Sequence, residues 1–107
     1  MKAKRVIPRQ SAEDDLQSAF VFYLETAGGL IAESFAIDFQ RTTRRISRFP
    51  SSGSPKYASD PNLSDVRFLP MKKFPYLIFY IEKEHFIDVW RVMHTSMDIN
   101  ERLAADD

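Results

Sequence analysis

Hydrophobic residues recur along the first half of the chain at helical spacing and along the second half in short, dense runs. A first helical stripe consists of Ala12, Leu16, Ala19, Phe20, Tyr23 and Ala27. Gly28 and Gly29 end this stripe, because glycine tolerates the left-handed backbone found at helix ends. Ser11 with Asp14 three residues later resembles a capping box at the start. The pattern predicts a helix over residues 11–27.

A second stripe of the same spacing follows the two glycines and ends at Phe49-Pro50. It consists of Ala32, Phe35, Ala36, Phe39, Thr43 and Ile46. Two helices joined by so short a connection are expected to form an antiparallel hairpin.

Residues before and after this hairpin favour strands. Residues 4–9 predict a strand that ends at Pro8 or lies at a sheet edge, because proline lacks the amide donor of a central strand. Residues 50–65 are rich in turn formers and predict a loop. Branched and aromatic residues then dominate residues 66–69, 76–81 and 86–94, which predict an antiparallel meander with 76–81 in a central position. Residues 96–105 are compatible with a short helix or a frayed tail.

Composition narrows the class of protein. At 107 residues and 44% hydrophobic content, the chain is expected to form one domain over residues 1–107. There is no cysteine and there are two histidines, so we expect neither a disulfide nor a metal site, and the absence of a glycine-rich phosphate loop predicts no cofactor. The apolar run after the basic start is too short for a signal peptide or membrane span, so we expect a cytoplasmic protein. A formal charge of zero argues against a general nucleic-acid coat.

The order strand, helical hairpin, loop and three-stranded meander resembles the RelE/ParE toxin superfamily, and its ParE branch in particular. The stretches that carry the resemblance are Ala12-Glu13-Asp14-Asp15-Leu16, Arg48-Phe49-Pro50-Ser51-Ser52-Gly53, Val66-Arg67-Phe68-Leu69, Pro75-Tyr76-Leu77-Ile78-Phe79-Tyr80 and Ile87-Asp88-Val89-Trp90-Arg91-Val92-Met93-His94. The resemblance as a whole covers roughly residues 4–103. The resemblance implies an α+β fold of this superfamily and the toxin half of a type II toxin–antitoxin system.

Within the superfamily, the resemblance implies two activities: ParE members poison DNA gyrase, and RelE members cut messenger RNA on the ribosome. Tyr76 stands where we align the phosphate-binding arginine of the RelE branch, which favours a ParE-like toxin of the plasmid-stabilisation type without a catalytic site. The alternative is a ribosome-dependent endonuclease that uses His94 with Arg67, Arg91, Lys72 and Lys73. A third possibility is a degenerate member that keeps only the antitoxin-binding surface.

The partners expected from the resemblance are a ParD-like antitoxin, in a dimer or heterotetramer, and DNA gyrase. Four apolar residues lie off the stripes and need another partner, either the sheet or the antitoxin: Val21, Phe22, Leu30 and Ile37. The second helix also aligns four arginines on one face, Arg41, Arg44, Arg45 and Arg48, which is either a solvated face or a docking surface for acidic antitoxin residues or nucleic acid.

The predicted antitoxin contacts are Val21, Phe22, Ile37, Arg41 and Arg45. The predicted target contacts are Arg91, His94, Met97 and Arg102. Trp90 is expected in the core.

Overall fold

A computed structural model describes residues 3–55 and 64–97 of the chain. The elements are β1 (Arg5–Pro8), α1 (Gln10–Ala27), α2 (Gly29–Arg48), a 3-10 turn (Pro50–Ser52), β2 (Arg67–Pro70), β3 (Tyr76–Glu82) and β4 (Phe86–His94). The two helices and four strands predicted from the sequence are therefore confirmed, with boundaries that differ by one or two residues. The C-terminal part of the predicted tail lies outside the described residues.

The four strands form one sheet in the order β1-β4-β3-β2. β2, β3 and β4 make the predicted antiparallel meander, and β1 pairs with β4 in parallel at the sheet edge. The edge position of β1 tolerates Pro8, which has no amide hydrogen to donate to a second neighbour. Among the described residues, no helix is both long and apolar enough to cross a membrane.

The two helices pack on one face of the sheet, and Gly28 alone connects them. Gly28 has a φ of 92°, a left-handed conformation that L side chains rarely adopt, so glycine permits this abrupt reversal. Small side chains at Ala12, Ala19 and Ala32 are buried between the layers and allow the backbones to approach closely. The hairpin and the sheet face beneath it share one apolar core.

β3 is buried on both faces, as predicted for a central strand. Tyr76, Ile78 and Tyr80 face the helical hairpin, whereas Phe79 belongs to a second cluster on the opposite face with Trp90 and others. Successive side chains of a strand alternate between faces, and this accounts for the division. The expectation that Trp90 lies in the core is confirmed by its 6% exposure.

A β-bulge on β4 changes this alternation at Trp90. Phe79 pairs with Arg91 and Tyr80 pairs with Val89, so Trp90 is the extra residue. As a result Val89 and Val92 both face the helical hairpin although they are three residues apart.

The predicted capping box at Ser11 is wrong. α1 begins at Gln10 after Arg9, and no side chain caps its first turn. The Ser11 hydroxyl instead donates to the Trp90 carbonyl at 3.0 Å, and Asp14 accepts a hydrogen bond from Gln10. The hydroxyl is drawn away because the backbone of β4 beyond Pro8 has no neighbouring strand to satisfy it.

The predicted apolar stripes are right in outline and wrong at three positions. Two of them belong to the predicted inner stripe of α1, where Phe20 is 37% exposed and Ala27, the last residue of the helix, is exposed as well. On α2 the inward position belongs to Thr42, 6% exposed, rather than to Thr43, and one turn earlier the buried residue on the same face is Asp38. Asp38 was not expected there.

Candidate functional site

His94 lies at the end of β4, where it pairs with Tyr76 across the sheet. The two rings meet edge to face with centroids 5.2 Å apart. Nδ1 of His94 accepts the backbone amide of Ser96 at 3.0 Å and lies 2.7 Å from the Ser96 hydroxyl. The ring is therefore oriented by its own turn, and its Nδ1 is already occupied.

Tyr76 stands beside His94 but is poorly suited to proton transfer. Burial, together with the neighbouring Tyr23 hydroxyl, raises the pKa of Tyr76 to about 12. A phenol of this pKa remains protonated at neutral pH and does not act as a base. Tyr76 also belongs to an aromatic cluster with Tyr23, Phe35 and Phe74, which is a packing role.

Arg91 is largely committed to Asp15 on α1. Its Nε and Nη2 donate to the two carboxylate oxygens at 2.7 and 2.8 Å, and the two side chains are only 12% and 15% exposed. Asp15 also accepts the backbone amide of Val92 at 2.9 Å. The predicted target contact thus has its guanidinium neutralised and nearly covered.

Arg67 lies at the other end of the sheet. Arg67 on β2 pairs with Tyr80 of β3, whereas His94 on β4 pairs with Tyr76, four residues earlier on β3. β2 and β4 lie on opposite sides of β3. Four residues of strand alone span about 13 Å. Arg67 donates to the carbonyl of Gly53 at 2.9 Å and so fastens the segment after α2 to β2. The structure does not bring Arg67 and His94 into one site.

That segment also depends on Tyr80, whose hydroxyl donates to Pro50 at 2.6 Å and accepts the amide of Gly53 at 3.0 Å. A Cβ at Gly53 would lie 2.3 Å from the tyrosine oxygen, so no larger residue fits without displacement. Burial raises the pKa of Tyr80, against the opposing effects of the Gly53 amide and Arg67. These contacts are structural, and hydrophobic periodicity does not predict them.

Lys72 and Lys73 are exposed in the β2–β3 loop, beside α2 rather than beside Arg67. Asp38, which is 2% exposed, accepts the backbone amides of Lys73 and Phe74 at 2.8 and 3.2 Å. Asp38 is the positioning residue that sequence reasoning missed. Its signal was present, since Phe35, Asp38, Thr42 and Ile46 share one helical stripe.

The arginines of α2 are exposed, as predicted for one polar face. Arg41 and Arg45 line a depression of about 130 Å³ together with Lys72 and the end of β2. Arg41 also borders a second depression of about 310 Å³ with Ile37 and Lys73. Two predicted antitoxin contacts, Ile37 and Arg41, are thus neighbours.

Apolar side chains of the hairpin remain uncovered by the sheet. Val21, Phe22 and Ile37 are 39%, 55% and 41% exposed, so the alternative in which the sheet covers them is wrong. Val21 and Phe22 do not line either depression that contains Arg41. A further apolar groove of about 360 Å³ runs between the helices and is lined by Leu16, Gln17, Phe20, Phe35, Ala36, Phe39 and Gln40.

Of the remaining predicted target contacts, Met97 follows the end of β4 and is 40% exposed. Arg102 lies outside the described residues. Within residues 3–55 and 64–97, no three His, Asp or Glu side chains are grouped so that they would hold a metal ion.

Comparison with known proteins identifies a family model and a fold. The model described as "ParE toxin of type II toxin-antitoxin system, parDE" matches residues 6–99. A solved structure from P. aeruginosa, described as "Chromosomal ParDE TA system", is similar with a TM-score of 0.71 and 17% identity, over 88% of this chain and 98% of that one. No curated protein matches the sequence. The structural likeness supports the predicted α+β fold.

Proposed function

Because this chain belongs to the ParE toxin family of type II toxin–antitoxin systems, we propose that it inhibits DNA gyrase by binding it and is neutralised by a cognate ParD-like antitoxin. The observation that carries the choice of a binding toxin over a nuclease is the pairing of Arg91 with Asp15. A nuclease needs free cations around the scissile phosphate and an acid–base pair beside it. Here Arg91 is neutralised and Arg67 lies at the opposite end of the sheet.

Inhibition without chemistry needs an exposed contact surface rather than a catalytic set. His94 and Met97, at the end of β4, are the described members of the proposed target contact, and Arg102 belongs to it from outside the described residues. In this proposal Arg91 acts indirectly, because its pairing with Asp15 fixes the last residues of β4 against α1.

The test is induction of the protein without antitoxin, followed by measurement of DNA supercoiling and strand breaks alongside ribosome-bound transcripts. We expect disturbed supercoiling with intact transcripts. His94→Ala should reduce the effect on supercoiling, whereas Ser18→Ala, on the exposed surface of α1, should leave it unchanged. Cleaved transcripts with normal supercoiling would establish the nuclease alternative. A stably folded protein that changes neither would indicate a degenerate member.

We assign the antitoxin to the uncovered apolar side chains of the hairpin. The uncovered apolar side chains are those of Val21, Phe22 and Ile37, and apolar area of this kind on a protein surface marks an interaction site. An amphipathic helix of the antitoxin would bury them with its apolar face. Arg41, next to Ile37, and Arg45, one turn later, are placed to meet acidic antitoxin residues at the margin of this surface. The assembly is a dimer or heterotetramer of toxin and antitoxin.

Phe22→Glu tests this assignment, because a charge at a buried interface position is costly. We expect the affinity of the antitoxin for this variant, assessed by co-purification, to fall at least tenfold. Phe49→Glu is the matched control, since Phe49 is equally exposed at 60% but follows the end of α2. Undiminished affinity of a folded Phe22→Glu protein would refute the assigned surface.

A further inference from the structure

Two groups of cations that are far apart in sequence meet on one side of the molecule. The group on α2 comprises Arg41, Arg44, Arg45 and Arg48, and the loop after β2 contributes Lys72 and Lys73. All six side chains are exposed, and we call them the basic face. Arg41, Arg45 and Lys72 line one depression, and Arg41 and Lys73 line the next.

The loop lysines are held beside α2 by the buried Asp38. Its carboxylate accepts the backbone amides of Lys73 and Phe74, so it fixes the loop through the backbone and forms no ion pair with Lys72 or Lys73. The carboxylate is 2% exposed and projects little negative charge to solvent. The loop is thereby fixed while its cations stay available.

The basic face is not neutralised by the parts of the chain that the structure describes. Lys4, Arg9 and Arg91 each form an ion pair with a carboxylate, but none of the six residues of the basic face does so among residues 3–55 and 64–97. A chain of zero formal charge therefore carries a local concentration of positive charge. Such a patch attracts an anionic partner whatever the net charge is.

The composition of the basic face discriminates between partners. From Arg41 to Arg48, the residues between the arginines are buried or half-buried, and no apolar side chain is exposed. A stable protein interface has an apolar centre, whereas the exposed apolar side chains here lie at the margins of the row, at Ile37 beside Arg41 and at Phe49 after Arg48. Contacts to phosphate oxygens are made by Arg and Lys and by small hydroxyl side chains, which are the residues that the face does present.

The layout also favours a duplex over a single strand. Single-stranded nucleic acids are held largely by aromatic side chains that stack on the bases, and the segment from Arg41 to Arg48 contains no aromatic residue. A duplex offers one phosphate for about every 1.7 Å of axis, and α2 rises about 10 Å between Arg41 and Arg48, so several phosphates lie within reach of one rigid row. We propose that the basic face binds the phosphate backbone of double-stranded DNA without sequence preference.

This activity is separate from antitoxin binding, although the two surfaces share Arg41 and Arg45. The test therefore changes Arg44 and Lys72, one from each group and neither assigned to the antitoxin. Glutamine is chosen because it keeps helix propensity and side-chain length while it removes the charge. The pair Ser18→Glu and Lys83→Gln is the control, since it lowers the net charge by the same two units at exposed positions outside the basic face.

The measurement is fluorescence anisotropy of a labelled 25-base-pair duplex titrated with the full chain, without antitoxin or gyrase, at several salt concentrations. The wild-type protein should bind with an affinity that falls steeply with salt. In Arg44→Gln with Lys72→Gln, the slope of log affinity against log salt should fall by about two, and affinity near 0.1 M salt by roughly tenfold for each lost contact. The control pair should keep the wild-type slope.

The proposal would be overturned by no binding of the wild-type chain at 50 mM salt, by an unchanged slope in the double variant, or by an equal loss in the control pair. Tighter binding to single-stranded RNA or to a polyglutamate peptide than to the duplex would also overturn it, by assigning the face to another partner. Circular dichroism and urea unfolding of each variant exclude loss of folding as the cause. Gyrase inhibition is measured separately, so either proposal can fail alone.

Discussion

The arginines beside β4 and those on α2 have opposite surroundings. Arg9 donates through Nε and Nη2 to Asp88 at 3.0 and 2.9 Å and lies over the Trp90 ring at 4.4 Å, and Arg91 is held in the same forked way by Asp15. The four arginines of α2 face solvent and form no ion pair with a residue that the structure describes. The same residue type thus fastens the fold in one region and remains available for a partner in the other.

The arginines beside β4 differ from those of α2 because the fold brings them acidic partners from distant parts of the chain. Arg9 and Asp88 are 79 residues apart, and Arg91 and Asp15 are 76 apart. α1 crosses the open edge of β4 beyond Pro8, where its side chains complete both the charge pairing and the backbone hydrogen bonds. On α2 the acid that precedes the arginines along the helix, Asp38, already accepts hydrogen bonds from backbone amides. An arginine therefore becomes structural where the fold brings it an uncommitted acid.

The largest effect expected from this comparison is that of Asp15→Ala. The substitution removes the forked carboxylate partner of the largely buried Arg91 and the acceptor of the Val92 amide, so stability should fall by about 3 kcal/mol. Urea unfolding measures the loss. Asp14→Ala is the control and should cost less than about 0.5 kcal/mol, because Asp14 is exposed and contacts only its own helix in the bond to Gln10. Equal effects would show that the Arg91 pair does not stabilise the fold.

Arg9→Gln should have an intermediate effect. It removes the forked bond to Asp88, whose side chain is 11% exposed, and the stacking on Trp90, but the Arg9 side chain is itself 40% exposed and the pair is partly screened. We expect a loss of about 1.5 kcal/mol in the free energy of unfolding. A loss below 0.3 kcal/mol would place Arg9 with the solvated arginines of α2.

Arg44→Gln is the same substitution in the other region and should have the smallest effect, with the opposite sign. Arg41, Arg44, Arg45 and Arg48 are three or four residues apart on a helix, a spacing at which like charges repel. Removing Arg44 should raise stability by about 0.3 kcal/mol at low salt, and the gain should shrink in 0.5 M salt. Destabilisation by 1 kcal/mol or more would reveal a structural partner for Arg44 and break the contrast.

Much of the fold followed from local patterns. The stripes on α1 and α2, the glycines between them and the dense runs of β3 and β4 predicted the elements and their order, because hydrophobic periodicity reports which side of an element meets the core. The capping box at Ser11 was predicted wrongly because its hydroxyl could either accept a hydrogen bond from a helix amide or donate one to a carbonyl elsewhere. Only the fold shows that it donates to the Trp90 carbonyl of β4.

The candidate site was less accessible from the sequence. The exposure of Val21, Phe22 and Ile37 was one of two alternatives, and the packing of the helices decided it. The separation of Arg67 from His94 depends on strand register, and the approach of Lys72 and Lys73 to α2 depends on Asp38. Each of these is a relation between residues that are distant along the chain.

The sequence by itself therefore determined the elements, the family resemblance and the presence of four arginines on one helix face, since all of these are expressed in residues that are close along the chain. Only the tertiary structure decided which arginines are neutralised and which are free. The physical reason is that an ion pair depends on the distance between two charges in space, and the acids that neutralise Arg9 and Arg91 lie more than 70 residues away from them.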